Sequence, residues 1–226
     1  MRQATDSHNE MMIPLVLCKT QFSSITNMKS LTYWHPLIYT FLIRLSYGRG
    51  YNQRYQAIAD LVEARSSLVD VCCGDSRIYS FLREKDIDYT GLDFNQCFVD
   101  KATKKGIRAR LFDIRKDPVP QGDYILMQAS LYQFYPNQHE IIRKLLDASS
   151  KALILSEPMK NKAHSQSKAI SLLGVLFSNP GDGIKEFKFN PETLKETLRP
   201  FARNIKKEFL TANDIEYVVM LAKYYS

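Results

Sequence analysis

The sequence predicts an α/β fold, with a mostly parallel sheet, helices on both faces, a C-terminal antiparallel hairpin and an N-terminal helical addition. Three observations predict it. Short apolar runs alternate with amphipathic stretches through the middle of the chain, the pattern of strands joined by crossover helices. One stretch, Leu68-Val69-Asp70-Val71-Cys72-Cys73-Gly74-Asp75-Ser76-Arg77, passes from an apolar run through small residues into the helical repeat Ile78, Phe81, Leu82. The last two apolar runs are separated only by a short turn at Ala212-Asn213-Asp214, so they pair antiparallel.

At 226 residues the chain is long enough for one α/β domain with a full core. Hydrophobic residues make up 45% and charged residues 24%, a balance that excludes global disorder. Lys and Arg total 31 against 24 Asp and Glu, so the formal net charge is +7. Such an excess suits an anionic lipid, a nucleic acid or an acidic metabolite, and equally a solvated surface. Cys18, Cys72, Cys73 and Cys97, like His8, His35, His139 and His164, lack metal-ligand spacing, so no metal is expected. Reduced thiols in a cytoplasmic protein are the expectation. No stretch reaches the roughly twenty apolar residues of a membrane span. Asp6 and Glu10, set before the short run Met11 to Leu17, make a poor signal peptide. Residues 1–27 read as a poorly ordered tail, 28–65 as a helical lid, and 66–226 as the core domain.

Taken in order, Trp34-His35-Pro36 opens a helix carrying Leu37, Ile38, Phe41, Leu42 and Leu45, with proline favoured in the first turn. Gly48-Arg49-Gly50 breaks it, and a second helix runs from Tyr51 to Ala64 with Tyr55, Ile58, Leu61 and Val62 on one face. After the first strand and its turn, Tyr89 to Leu92 forms a second strand ending in Asp93. A helix from Gln96 to Lys105 follows, stopped by Gly106, with lysines at its negative end. Ile107 to Phe112, Tyr124 to Met127 and Ala152 to Ser156 are three further strands, closed by Asp113, Gln128 and Glu157-Pro158. Helices carry Ile141, Ile142, Leu145 and Leu146 before the last of these, and Ile170, Leu172, Leu173, Val175 and Leu176 after it. Residues Ser178 to Gly183 make a strong turn, and Asn190-Pro191-Glu192 starts another helix as cap and first turn. Strands near Ile205 to Leu210 and Tyr217 to Ala222 form the hairpin.

The turn at Gly74 presents backbone N–H groups and a helix start at the carboxyl edge of a strand. Asp93 follows about twenty residues later, the spacing at which a carboxylate grips a ribose. Together they predict a nucleoside-containing cofactor site.

From residue 51 to about 223 the pattern resembles the class I S-adenosylmethionine-dependent methyltransferases, in the style of metabolite and quinone-pathway members. The resemblance rests on Val69-Asp70-Val71-Cys72-Cys73-Gly74-Asp75 as the first motif, Asp93 after the second strand, Phe112-Asp113-Ile114 after the third, and Gln128 to Phe134 after the fourth. It implies a Rossmann-like, seven-stranded sheet whose last strand is reversed. S-adenosyl-L-methionine is the implied cofactor, with Asp70, Cys72, Gly74, Asp75, Asp93, Phe94, Asp113, Ile114 and Gln128 as its contacts. In that scheme Gly74 lets the backbone approach the methionine part, and Asp70 orders the turn. Asp93 takes both ribose hydroxyls, and Asp113 the adenine amino group between Phe94 and Ile114. Cys72 and Ser76 stand where the family usually has glycine.

Methyl transfer from a sulfonium mainly needs a positioned nucleophile and sometimes a base. Gln128-Ala129-Ser130-Leu131 stands where Asn-Pro-Pro-Tyr or Asp-Pro-Pro-Tyr would mark methylation of a base or amide nitrogen, so DNA is not an expected substrate. A small-molecule or lipid acceptor is expected, with Tyr47, Tyr51, Tyr55, Tyr132, Gln133 and Glu157 around it and Tyr132 the candidate catalytic residue. Residues 28–55 mix aromatics with Lys29, Arg44, Arg49 and Arg54 and hold no acid, which suits an apolar anionic acceptor or peripheral contact with an anionic membrane. Two other readings stay open: a cofactor-binding protein without transferase activity, and an RNA methyltransferase served by the basic charge.

Overall fold

A computed structural model describes residues 44, 47–159, 187–212 and 214–223. The N-terminal tail, nearly all of the helix expected from Trp34, the helix around Ile170 to Leu176 and the turn at 178–183 lie outside the described residues.

Seven strands form one sheet: β1 Ser67–Val71, β2 Asp88–Asp93, β3 Ala109–Leu111, β4 Gly122–Gln128, β5 Ser149–Pro158, β6 Ile205–Thr211 and β7 Glu216–Leu221. Their spatial order is β3-β2-β1-β4-β5-β7-β6. Strands β1 to β5 are parallel, and β7 is antiparallel to both β5 and β6. The chain winds outward from β1 to β3 and then crosses back to β4. That reversal opens a crevice at the carboxyl ends of β1 and β4, where doubly wound sheets bind ligands.

Five α-helices flank the sheet: α1 Tyr51–Ala59, α2 Tyr79–Leu82, α3 Gln96–Lys104, α4 Gln138–Ala148 and α5 Pro191–Leu198. Against one face, α4 packs Ile141, Ile142 and Leu145 and α5 packs Leu194 and Leu198, with Val69, Ile125 and Leu153 of the sheet. Against the other face, α1 packs Tyr51, Tyr55, Ile58 and Ala59 on Leu68, Leu126 and Ile154. Strand β1 is covered on both sides, so Leu68, Val69 and Val71 are buried whichever face they take. Helix α5 begins as its sequence signals. The Asn190 side chain accepts from the Thr193 amide, the Thr193 hydroxyl accepts from the Asn190 amide, and Pro191 occupies the first turn. Gly50 is required where the chain enters α1, because a Cβ there would lie 3.0 Å from the backbone of Ala212 in the hairpin turn.

Several boundaries differ from expectation. Helix α1 ends at Ala59, not Ala64, and the chain finishes in turns that bring Val62 into the core. The helix after the glycine turn is a single turn, continued by a 3₁₀ segment at Arg83–Lys85 and closed by left-handed Asp86. Strand β3 shrinks to three residues at the sheet edge, where it has one neighbour to pair with. Strand β5, paired on both sides, extends to ten residues. The aromatic and basic set of the N-terminal segment is divided. Tyr47, Tyr51, Arg54 and Tyr55 are buried in the fold, whereas Arg44 and Arg49 are exposed. The four buried side chains therefore face the sheet and not an outer surface. Among the described residues no helix is long and apolar enough to cross a membrane, and no cluster of His, Cys, Asp or Glu is arranged to hold a metal ion.

Candidate functional site

The chain leaves β1 through three left-handed residues, Cys72 at φ 61°, Gly74 at φ 53° and Ser76 at φ 53°. Gly74 adopts this conformation without steric cost, whereas Cys72 and Ser76 each bear a penalty of about 1–2 kcal/mol. The alternation folds the turn back on β2, and the Gly74 amide donates to Asp93 Oδ2 at 2.9 Å. The Asn95 amide donates to Oδ1 at 2.9 Å, and the Asn95 side chain caps α3. Asp93 is thus buried with one backbone bond on each oxygen and a lone pair of each left over. Burial raises its carboxyl to about 6, against the lowering pull of the two amides.

Asp70, in the middle of the edge, accepts from the Tyr89 hydroxyl at 2.7 Å, and burial raises its carboxyl to about 7. Cys72 and Cys73 are free thiols pushed well up by burial, so they are inert. Cys97 at the start of α3 is disulfide-bonded, so the reduced state expected of the cysteines holds for this adjacent pair and not for Cys97. Arg54, Tyr55, Asp70, Cys72, Asp75 and Gln128 line a small cavity of about 20 Å³ at the head of β1 and β4. That is room for about one water molecule.

Across the sheet, two acids close the ends of β5 and β7. Glu216 is fully buried and pairs with Arg54, whose Nε lies 2.9 Å from Oε2 and whose Nη2 donates to Oε1 at 3.1 Å. Gln128 Nε2 donates to Oε1 at 3.0 Å, and the Ser156 hydroxyl donates to the same oxygen. The guanidinium of Arg54 lies 4.1 Å from the centre of the Tyr47 ring and 5.2 Å from that of Tyr55. The Tyr47 hydroxyl lies beside Glu216 without a well-aligned hydrogen bond.

Glu157 is also buried, and its Oε1 accepts from the amides of Ser130 and Leu131 at 2.9 and 2.8 Å. Its Oε2 is buried with no hydrogen-bond partner. Burial raises this carboxyl to about 8. The Tyr132 hydroxyl is pushed up to about 12, first by burial and then by the charge of Glu157. Gln133 Nε2 lies 3.5 Å from that hydroxyl.

On the outer flank Asp113 makes two bonds to Arg115, Nε to Oδ1 at 2.8 Å and Nη2 to Oδ2 at 3.0 Å. The Arg115 hydrogen bond holds the carboxyl below the usual carboxylate range. Phe94 is partly exposed, while Ile114 sits in the core with its carbonyl accepting from Lys144 Nζ at 3.0 Å. The structure therefore brings Asp70, Cys72, Asp75, Gln128 and Tyr55 to one cavity, with Asp93 held by the same turn. Asp113 is engaged by Arg115, and Tyr47 and Tyr51 pack into the core.

Sequence reasoning missed the cluster that closes the cavity wall. Arg54 read only as part of a basic, aromatic segment, and Ser156 and Glu216 were not singled out. The available signal was an acid at the first position of an otherwise buried strand.

The family described as methionine biosynthesis protein MetW matches residues 52–164, half of the chain. The chain belongs to the MetW family. The matched span runs from α1, through the glycine turn and Asp93, to just beyond Glu157. No curated protein matches the chain. Its fold is that of the class I methyltransferases. An O-methyltransferase family 2 protein from Planctomyces limnophilus, in complex with apigenin, is 17% identical with a TM-score of 0.59, covering 84% of this chain and 62% of that one. Magnesium protoporphyrin IX methyltransferase from Synechocystis, with bound S-adenosylhomocysteine, is 14% identical with a TM-score of 0.58, covering 82% of this chain and 95% of that one. Human N-acetylserotonin methyltransferase, in complex with S-adenosylmethionine, is 11% identical with a TM-score of 0.59, covering 85% of this chain and 57% of that one. The chain thus spans less than two thirds of the first and third of these proteins.

Proposed function

We propose that this chain is an S-adenosylmethionine-dependent methyltransferase acting on a small-molecule or lipid-like acceptor. The observation that carries this reading is Asp93, buried at the carboxyl end of β2 and oriented by the Gly74 and Asn95 amides. A carboxylate so held offers one lone pair on each oxygen to a vicinal diol, the hydrogen-bonding pattern of a ribose. The fold it shares with neighbours that hold S-adenosylmethionine or S-adenosylhomocysteine supports the same cofactor.

The donor set fits that group at two of its three parts. Asp93 suits the ribose. The side chains lining the cavity, Arg54 and Gln128 with Asp70 and Asp75, carry the groups that a zwitterionic amino-acid end pairs with. Arg77, exposed, is among the residues lining the same cavity. The fit is weaker at the adenine, because Asp113 is already bound by Arg115 and Ile114 is buried in the core. Phe94 remains partly exposed there to cover a ring.

When bound, the cofactor supplies an electrophilic methyl group on a sulfonium with a good leaving group. The chain's own task is to bind, orient and exclude water. Helix α1 serves this as a lid element, since it carries Arg54 and Tyr55 into the cavity wall. Glu157 and Tyr132 stand on the acceptor side. Glu157, buried and bonded through Oε1 to the amides of Ser130 and Leu131, holds the start of the loop that carries Tyr132.

Calorimetry with S-adenosylhomocysteine tests the cofactor half of this reading. Transfer of labelled methyl groups into a cell extract, split into lipid, small-molecule and macromolecular fractions, tests the acceptor half. Absence of heat ends the proposal, and label confined to RNA or protein moves the acceptor class.

A further inference from the structure

We propose that Glu216, in the last strand, is a positioning residue that fixes the Arg54 guanidinium and the Gln128 amide at the wall receiving the amino-acid end of the cofactor. The inference rests on the function proposed above and adds to it a residue far in the chain from every motif.

Three side chains from three other elements converge on this one carboxylate. Arg54 comes from α1, Gln128 from the end of β4, Ser156 from β5, and Glu216 itself opens β7. Burying such an ion pair is a poor way to stabilise a fold, since desolvation offsets most of the attraction. The cluster's location offers another reason for it. Arg54 and Gln128 both line the cavity, together with Asp70 and Asp75, so the residues that Glu216 holds are ones a ligand would meet. Arg54 Nη2 donates to Glu216 Oε1 and Nε lies 2.9 Å from Oε2 as a close ion pair without hydrogen-bond alignment, while the Tyr47 and Tyr55 rings flank the guanidinium and restrict its orientation. The Gln128 amide is oriented in the same way, because its nitrogen donates to Glu216 and its oxygen must then point elsewhere.

The ligand end that fits is a zwitterion. Among the lining residues a guanidinium and an amide can serve a carboxylate, and two carboxyl groups an ammonium.

The test compares two nucleosides by calorimetry. S-adenosylhomocysteine carries the amino-acid end, whereas methylthioadenosine keeps the adenosine and thioether but lacks it. The wild-type chain is measured beside Glu216→Gln, Arg54→Lys and Ser156→Ala, each checked for folding by its thermal transition. Glu216→Gln is expected to weaken S-adenosylhomocysteine by about tenfold or more, the loss of one charge-assisted interaction, with methylthioadenosine changed by less than about threefold. Arg54→Lys, which keeps the charge but loses the fork, should show the same selectivity, and Ser156→Ala a smaller version of it. Equal weakening of both ligands, or no weakening in folded variants, overturns the inference and leaves Glu216 a scaffold residue. If Glu216→Gln does not fold, Arg54→Lys and Ser156→Ala decide by the same criterion. Failure of the wild-type chain to bind either nucleoside instead removes the cofactor reading itself.

Discussion

The carboxyl edge of the sheet has two halves, and their buried acids are held in opposite ways. On the β1–β2 half, Asp93 takes one backbone amide on each oxygen, from Gly74 and from Asn95. On the β4–β5–β7 half, Glu157 takes two amides on a single oxygen and leaves the other without a partner. Glu216 beside it is held only by side chains, those of Arg54, Gln128 and Ser156. Burial raises Asp93 to about 6 and Glu157 to about 8, so near neutral pH the first is mainly charged and the second mainly carries its proton. A symmetric amide pair thus suits a group that receives hydroxyls. A one-sided pair suits a group that keeps a proton.

The largest expected effect lies on the side-chain-held half. Arg54→Met alone leaves Glu216 as an uncompensated buried charge, and stability should fall by about 3–5 kcal/mol in denaturant titration. Arg54→Met combined with Glu216→Leu should recover most of that loss. Failure of the double variant to recover would mean that the network does more for the fold than neutralise a charge.

On the amide-held half the effect falls on binding. Asp93→Ala should weaken S-adenosylhomocysteine by about 1.5–3 kcal/mol, the scale of hydrogen bonds to a charged group. Unchanged affinity in a folded variant would place the cofactor elsewhere.

The contrast in protonation is read from pH. Glu157 has a folded value raised from 4.5 to about 8, so the native state keeps a proton that the unfolded chain releases. The resulting stability is present in full below the unfolded value and is lost as pH rises through the folded one, with a slope of up to about 1.4 kcal/mol per pH unit. Asp70 adds the same sign from 3.8 to about 7, and Asp93 from 3.8 to about 6. Thermal transitions of the ligand-free protein should therefore fall between about pH 5 and pH 8. Glu157→Gln should flatten the upper part of that fall, because the amide accepts the same two N–H bonds and cannot ionise. An unaltered profile would show that Glu157 is not the group titrating there.

The smallest effect concerns the turn. Ser76 is left-handed and buried, and its hydroxyl lies beside Cys73 and Tyr89 without a well-aligned hydrogen bond. Ser76→Gly should raise stability by up to about 1 kcal/mol, the backbone penalty less the entropy of the added glycine. A clear loss would show that the hydroxymethyl group packs or bonds more strongly than its geometry indicates.

By itself the sequence determined the order of strands and helices, the antiparallel hairpin, and the pairing of a glycine turn with an acid after the second strand. These are local properties. Apolar period, capping residues and turn chemistry are set within a few positions, and Gly74, just after β1, is only 19 residues from Asp93 at the end of the adjacent strand. The tight turn at Gly74 was legible too, whereas the left-handed conformation of Cys72 and Ser76 came only with the structure. Tertiary structure decided the rest. Arg54 and Glu216 are 162 residues apart, and no periodicity links a basic helix residue to the first acid of the last strand. Asp113 follows the third strand, but its half-buried carboxylate turns to Arg115 two residues on, the nearest fork of donors. Protonation likewise belongs to the fold, since desolvation depends on what covers a carboxyl. Glu157 is neutral near pH 7 because the folded chain buries it with one oxygen unpartnered.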